Sequence, residues 1–498
     1  MSMDFLAPYT GPWSPRLAAH LLRRAGFGGS AADVDRTASA GMNVAVDRLV
    51  DFGSDPYPAQ PAGDITYRVG PKALLDQAAI KQRRLAFVRT EMWWLNRCLL
   101  TANPLQEKMV YFWHNHFTSG LGEGGIQPQD MVDQLNLYKQ MAIGNFAQLT
   151  HAVTRSTAML LYLNNAQNNK NHPNENYARE LMELFTMGIG NYSEEDVRQS
   201  ARAFTGFTID YRGTRQFVFR PRIHDYGTKT FLGRSGDFDG DDVINVIMQQ
   251  PVTARFMAGK FLKTFVYDNP EPAFVNAVAD RFRATNYDVR DLVNVVLRSN
   301  AFYSDRAYRA LVKSPLEVVI GAHKLLGATA IEPAALPALI QMGQSPLNPP
   351  NVAGWPGGAL WLNTGTMMAR LNYLNRLVLY KATNGMTVAS AGGAMAMAGA
   401  AGMGDMMDGP DAFKLAPAIA PPTEWVAGAK MQDPNDVANR VVAMSVQGDL
   451  TGQQLNTIVN YLSTDAVGNF VQLNGENFEE KVRGAMSLAM ALPAYQLA

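Results

Sequence analysis

Hydrophobic residues recur at intervals of three and four along most of the chain, the spacing that places them on one face of an α-helix. The segment after Asn103 is typical, because an Asn–Pro pair favours a helix start and the aromatic positions after it share one face. The residues on that face are Leu105, Met109, Phe112, Trp113 and His116. Similar periodicity predicts a long helix at 74–100 and further helices at 433–497, and therefore a mainly α-helical protein.

Three stretches depart from this pattern. Two apolar triplets around a polar, glycine-containing turn predict a small β-hairpin at 207–220. The aspartate-rich run 237–242 lacks the glycine and final glutamate of an EF-hand loop, so it predicts a turn and a helix cap. Residues 385–422 are rich in Ala, Gly and Met, which predicts a flexible or partner-covered loop, with copper(I) on thioethers as the alternative.

These elements predict three parts of the chain. A large multi-helix body that includes the hairpin is expected over 1–384. The low-complexity insert separates this body from a C-terminal helical lobe, which is expected over 423–498 and should pack on the body.

Charge and composition narrow the possible functions. Lys and Arg together number 44, as do Asp and Glu, so no excess of positive charge favours nucleic acid. The single cysteine, Cys98, excludes an intrachain disulfide and a cysteine-based zinc site. The chain has no apolar run of about 18 residues, so we expect no membrane-spanning helix. The Arg23-Arg24 pair precedes no hydrophobic signal region, so we expect a cytoplasmic protein, or one exported while bound to a partner.

The segment 173–184 carries the densest group of candidate catalytic residues. On a helical wheel its apolar side chains occupy one side, and the other side holds Glu175, Asn176, Arg179, Glu180 and Glu183. If this polar side faces solvent, its ion pairs stabilise the helix by only about 0.3–0.5 kcal/mol each. If it lines a cleft, Arg179 would hold one glutamate ionised while Glu180 titrates at higher pH, which would separate an acid from a base.

Three histidines are candidate metal ligands. His114 and His116 lie about 200° apart on a regular helix, so both reach one ion only if the helix ends or distorts at Asn115. His116 alone, on an aromatic face, is as well explained as a hydrogen-bonded core residue. His224 and Asp225 come after the hairpin in a loop, where catalytic groups often lie, although Asp225 also suits a turn cap.

Two further features suggest ligand contacts. The loop with Trp355 and Trp361 offers flat rings for stacking on a sugar, with packing under a long loop as the alternative. His20, with Arg23 and Arg24 one turn later, suits either an anion or attachment of the first helix to the core, and we favour attachment.

Five segments together resemble one bacterial protein family, known as domain of unknown function 1800. They are residues 20–28, 113–117, 173–184, 224–233 and 349–363. The family's function is unassigned, so the resemblance implies no reaction. Its members resemble proteins encoded beside an exported sulfatase-like family, which implies a partner of that kind. Asn164 stands where relatives are expected to have an aspartate, and the methionine-rich insert has no known counterpart.

Our leading hypothesis is a metal-dependent, hydrolytic enzyme. The expected metal ligands are His114, His116 and His224, which with nearby carboxylates would suit Zn²⁺, Mn²⁺ or Fe²⁺. The expected catalytic residues are Glu175, Glu180, Glu183 and Asp225. The expected substrate-binding residues are Asn176, Arg179, Lys229, Trp355 and Trp361. One alternative is a metal-free glycoside hydrolase acting on a glycan with paired carboxylates; because carboxylates on one helix lie close together, it needs a partner from another segment, such as Asp225. The other is a non-catalytic partner or carrier of an exported sulfatase-like protein.

Overall fold

The computed structural model describes residues 4–67, 76–379 and 419–498. Within these ranges it contains 21 α-helices and only two small antiparallel sheets, so the predicted mainly α-helical fold is confirmed. The helices are α1 Pro15–Arg24, α2 Ala31–Ala40, α3 Met42–Val50, α4 Gln77–Leu100, α5 Pro104–His116, α6 Pro128–Gln140, α7 Phe146–Thr154, α8 Thr157–Tyr162, α9 Asn176–Glu180, α10 Glu194–Ala203, α11 Gly240–Met248, α12 Pro251–Phe265, α13 Pro272–Ala284, α14 Val289–Leu297, α15 Pro315–Leu325, α16 Ala335–Gln341, α17 Thr364–Leu379, α18 Pro422–Trp425, α19 Pro434–Val446, α20 Gly452–Ser463 and α21 Phe478–Met490. Short 3₁₀ turns lie at Glu123–Gly125, Asn165–Gln167, Pro221–Ile223, Gly358–Trp361 and Pro493–Gln496, and a π-helical turn lies at Leu181–Thr186.

Local sequence signals explain several helix starts. Helix α5 begins at Pro104, as predicted, but the Asn103 side chain does not cap it. The Asn103 amide instead exchanges hydrogen bonds with the backbone of Gly53, at 3.1 and 2.8 Å, and ties a distant loop to this helix. The aspartate-rich run does cap a helix, because Asp239 accepts from the first-turn amides of α11 and Asp242 bonds back to the cap.

The predicted hairpin is confirmed. Strand β1, Phe207–Ile209, pairs antiparallel with β2, Phe217–Phe219. A second two-stranded sheet comes next, formed by β3, Lys229–Phe231, and β4, Arg234–Gly236. Its turn residues Leu232 and Gly233 both have positive φ, which suits a tight two-residue hairpin turn.

The body and the C-terminal helices share one hydrophobic core, whose buried side chains run from Leu17 to Tyr495. The C-terminal helices bond to the body directly: the Trp425 indole donates to Leu326 O at 3.2 Å, and Arg483 donates to Val378 O at 2.8 Å. The predicted insert 385–422 lies outside the described residues as far as residue 418, so the domain boundaries stay a prediction.

A charged network lies inside this core, where α4 meets α5. Arg97 and Glu107 are both fully buried, with 2.9 Å between Nε and Oε1. Lys139 lies 3.4 Å from the same Glu107 oxygen and 2.6 Å from Asp55. The Arg97 guanidinium also packs 4.4 Å from the ring centre of Trp93. Each buried charge is therefore balanced by a neighbour, which buried ions require.

None of the helices in the described ranges combines the length and the apolar character that a membrane crossing needs.

Candidate active site

The glutamate-bearing segment forms α9, which continues at once into the π-helical turn Leu181–Thr186. Within that turn the Met187 amide donates to Met182 O at 2.9 Å, five residues back. One side of the segment is buried, and the side with Glu180 and Glu183 is partly exposed, as the helical wheel indicated. π-Turns inside helices occur often at functional sites, so the geometry of this turn singles it out.

The end of this turn is held by two side chains from other helices. The last carbonyls of a helix have no amide partner within it. Here His116 Nε2 lies 3.0 Å from Phe185 O, and Lys260 Nζ donates to Leu184 O at 2.7 Å. Lys260 Nζ also lies 3.3 Å from His116 Nδ1. Since a carbonyl only accepts, the imidazole carries its proton on Nε2 and offers Nδ1 to the ammonium.

Burial and the nearby Lys260 charge lower the pKa of His116 well below its usual value, so the ring is neutral at pH 7. Burial and Lys263 lower the pKa of Lys260 to about 8. His116 is thus a neutral imidazole that positions the turn, and both of its nitrogens are already engaged by the protein.

Replacing Lys260 with methionine should change how stability depends on pH. The unfolded chain binds this proton up to a pKa near 10.5 and the folded chain only up to about 8, so the unfolded state holds more protons between these values. The free energy of unfolding of the unchanged protein, relative to Lys260→Met, should therefore rise as the pH increases from about 8 to 10.5. Urea titrations across this range measure the difference, and the exposed Lys430→Met variant serves as the control. A flat difference would contradict the assigned environment of Lys260.

On the partly exposed side, the charged residues form two groups. Arg179 donates to Glu194 at 2.7 and 2.8 Å and to Glu175 at 3.2 Å. These contacts are those of a surface ion-pair cluster, which contributes little stability. Glu175 and Arg179 are therefore occupied with each other and with Glu194.

Glu180 and Glu183 form the second group. Burial, and then the charge of Glu183, raise the pKa of Glu180, while Arg179 opposes this shift. The hydroxyl of Tyr192 donates to Glu183 Oε2 at 2.7 Å, which holds that carboxylate in place. Burial, and then the charges of Glu123 and Glu180, raise the pKa of Tyr162 to about 12. Two glutamates in different surroundings, with two tyrosines nearby, can serve as an acid and a base.

His114 lies on the opposite side of α5 from His116, because the helix stays regular to its end at His116. Its ring is fully buried between Trp94 and Trp355, with ring centres 5.8 and 5.3 Å away. Neither ring nitrogen has a hydrogen-bond partner, and burial alone lowers the pKa to about 3. The two histidines therefore do not converge on one position.

The third predicted group lies at the second hairpin. His224 Nδ1 bonds to Thr205 O at 2.7 Å, and Asp225 forms an ion pair with Arg202 at 2.7 Å. The hydrogen bond from Arg202 keeps the pKa of Asp225 below its usual value. Asp225 also accepts from the Gly227 amide at 2.8 Å, as a turn residue does. Lys229 is buried, and its ammonium donates to Asp225 O at 2.5 Å. These side chains are engaged by hydrogen bonds and an ion pair within the loop and to its neighbours, and no described contact joins them to Glu180.

The predicted sugar-stacking rings are both covered: Trp355 is 5% exposed and Trp361 4%. The Trp355 amide donates to Asn115 Oδ1 at 2.7 Å, which fastens the loop to the end of α5. Asn176 is exposed at the start of α9, and its backbone N–H donates to the side-chain oxygen of Asn174. Only Asn176 of these three has a side chain that a substrate reaches directly.

The predicted site residues thus fall into separate groups: the glutamate segment, the His224–Lys229 loop, the His114–Trp355 contact, and His116 beneath the π-turn. Among the described residues, no group of three or more His, Cys, Asp or Glu side chains is arranged to hold a metal ion.

Sequence reasoning missed four residues near the glutamates: Tyr162, Tyr192, Glu194 and Lys260. The capping box at Ser193 predicts the start of α10 and therefore places Glu194 in its first turn. A lysine inside the apolar run 256–265 is a signal for a buried cation. Glu91 was also missed, and burial raises its pKa to about 8, but no described contact links it to this site.

Taken together, the chain is a mainly α-helical protein in which two inequivalent glutamates lie just before a π-turn and inside it. A family model described as Protein of unknown function (DUF1800) matches residues 20–497. Since the match spans nearly the whole chain, the protein belongs to that family, and the resemblance noted in the sequence is confirmed. Neither the curated proteins nor the solved structures contain a match to this chain.

Proposed function

We propose that this protein is a hydrolase that uses Glu180 and Glu183 as an acid–base pair without a metal. The observation that carries the proposal is their inequivalence where α9 continues into the π-turn. Glu180 is half-buried with a raised pKa, whereas Glu183 accepts the Tyr192 hydroxyl at 2.7 Å. Proton transfer by positioned carboxylates typically accelerates a reaction by about 10²–10⁴-fold.

The two glutamates have different roles in this proposal. Glu180 holds a proton at higher pH than an ordinary glutamate does, so it donates that proton to the leaving group. Glu183, fixed by Tyr192, accepts a proton from the attacking water. His116 and Lys260 act as positioning residues, because they hold the carbonyl end of the turn that carries Glu183.

The surroundings favour a neutral substrate. Carboxylates repel anions, while Tyr162 and Tyr192 offer aromatic faces and hydroxyl groups beside Glu180 and Glu183. A glycoside combines a neutral, hydroxyl-rich ring with a leaving group that needs a proton. Glycoside hydrolysis, one of the alternatives raised by the sequence, is therefore the reaction we favour, with Glu183 in place of the carboxylate expected from another segment.

Metal-dependent hydrolysis stays a prediction. The experiment below distinguishes it from the metal-free reaction that we propose. His114, His116 and His224 lie in three different surroundings, and two of them bond to backbone carbonyls. An exported sulfatase-like partner also stays a prediction, and its binding would be compatible with either reaction.

The test is a panel of chromogenic glycosides assayed with the full chain, with and without EDTA. We expect turnover of at least one glycoside that survives EDTA and is lost in the double variant Glu180→Gln/Glu183→Gln. The matched control is Glu194→Gln, which removes a neighbouring surface carboxylate and should retain activity. Activity abolished by EDTA and restored by Zn²⁺ or Mn²⁺ would instead support the metal-dependent enzyme. Activity unchanged in the double variant would refute the assignment of Glu180 and Glu183.

A further inference from the structure

A cavity lies where α1 meets α15 and the C-terminal residues, and neither Glu180 nor Glu183 lines it. Its volume is about 40 Å³, which suits a small ligand group. Part of the wall is apolar, and the rest includes two cationic side chains, Arg23 and Lys313, together with Glu317. The apolar wall includes Leu22, Phe27, Val34, Leu325 and Met444.

Arg23 brings unsatisfied hydrogen-bond donors to this cavity. The residue is only 9% exposed, and its Nη1 donates to Gln447 Oε1 at 2.5 Å. Its Nε and Nη2 are buried and make no hydrogen bond, although the Tyr308 side chain lies close enough to the guanidinium to favour its charged form. A buried donor without a partner is unfavourable, and more so when it is charged. Two of the guanidinium's nitrogens therefore lack the acceptor that would stabilise them.

Lys313 adds a second cation to the same wall. It is 8% exposed, and its ammonium donates to Tyr495 O at 2.6 Å and lies 4.0 Å from the Tyr495 ring centre. An ammonium has three donors, so this contact leaves others unused. Burial, and then the charges of Arg23 and Arg309, lower the pKa of Lys313 well below its usual value.

The carboxylates nearby are already paired with other cations. Glu317 accepts from the Lys108 ammonium and, at 2.7 Å, from the Ser314 amide. Asp449 accepts from Arg309 and from the Tyr308 hydroxyl, each at 2.5 Å.

Two more arginines, Arg24 and Arg370, are buried behind the wall, and the Nε of each lacks a partner. Positive charge therefore exceeds negative charge around this cavity.

We propose that the cavity binds the oxyanion group of a small molecule, a phosphate or a carboxylate, through Arg23 and Lys313. The guanidinium fork matches two oxygens of such a group, and the ammonium supplies a compact charge beside it. The apolar wall accommodates the uncharged remainder of the ligand. This inference concerns a different part of the molecule from the proposed active site and does not depend on it.

A competing source of negative charge is the chain itself. Ala498 also lines the cavity, and its amide donates to Leu311 O at 2.8 Å. If an α-carboxylate at Ala498 neutralises Arg23 and Lys313, a free oxyanion has no site to occupy. The test must therefore measure binding of an added anion.

The probes are inorganic phosphate and acetate, added to the full chain at constant ionic strength. We expect saturable binding of at least one anion, one per chain, in equilibrium dialysis, and a rise in melting temperature with its concentration. Arg23→Gln and Lys313→Met should each weaken binding by about tenfold or more, because each removes a charged hydrogen bond. The exposed Arg255→Gln variant should bind as the unchanged protein does.

Lys313→Met keeps the test decisive if Arg23→Gln does not fold. It removes a buried cation with a side chain of similar length, so the variant is expected to fold. No saturable binding of either anion, as expected if Ala498 already fills the site, would overturn the proposal. Binding that both variants leave unchanged would overturn it as well.

Discussion

Replacing Glu180 with glutamine should lower kcat/KM for glycoside hydrolysis by a factor of about 100 or more. The amide keeps the size of the side chain but has no acidic proton to give to a leaving group. In the unchanged protein, activity should fall as the pH rises through the pKa of Glu180, which lies above its usual value because of burial and Glu183. That alkaline limb should disappear in Glu180→Gln. The measurement is a pH profile of kcat/KM for both proteins.

The control for this prediction is Glu175→Gln, in the same segment. Glu175 bonds only to Arg179 among the described contacts, and Arg179 keeps Glu194. Its loss should change kcat/KM little and leave the alkaline limb in place. A Glu180→Gln variant with a normal profile would show that another group supplies the proton.

Replacing Glu107 with glutamine should lower the free energy of unfolding by about 3–5 kcal/mol, the usual effect of breaking a buried ion pair. Arg97 lies 2.9 Å from this carboxylate and is fully buried with it, so the variant leaves the guanidinium charge without its nearest counter-ion. Lys139 loses the same partner but keeps Asp55 at 2.6 Å. Urea unfolding at pH 7 measures the change.

An exposed pair on α10 provides the comparison. Glu195 and Arg198 are each more than half exposed, so Glu195→Gln should alter stability far less than Glu107→Gln does. If the Glu107 and Glu195 variants lower the free energy of unfolding equally, the buried Arg97–Glu107 pair does not stabilise the fold as proposed.

The sequence predicted the helical class and the first hairpin because both rest on local periodicity and turn chemistry. The spacing of His114 and His116 also indicated that they point apart on a regular helix, although both were expected to bind a metal. The π-turn at Leu181–Thr186 was not predictable in this way, because the wheel assumed a constant advance per residue. The second hairpin was missed because its strands, with the sequences Lys-Thr-Phe and Arg-Ser-Gly, lack the paired apolar triplets that marked the first one.

The candidate site was only partly predictable for a related reason. The glutamates lie in one short segment, so their common face was visible in the sequence. Tyr192 and Lys260 reach the same turn from other elements, and only the packing of those elements brings them there. The loop with Trp355 and Trp361 was predicted to stack on a sugar, but both rings are buried. An aromatic loop in a sequence therefore indicates packing as readily as ligand binding.

The π-turn at the end of the glutamate segment holds one amino acid more than an ordinary helical turn spans. Deleting a single residue from it would bring every later position back by about 100° around the axis. The carbonyl groups of Leu184 and Phe185 would then swing away from the ammonium and imidazole that now hold them. The two contacts from His116 and Lys260 therefore depend on the extra residue in the turn.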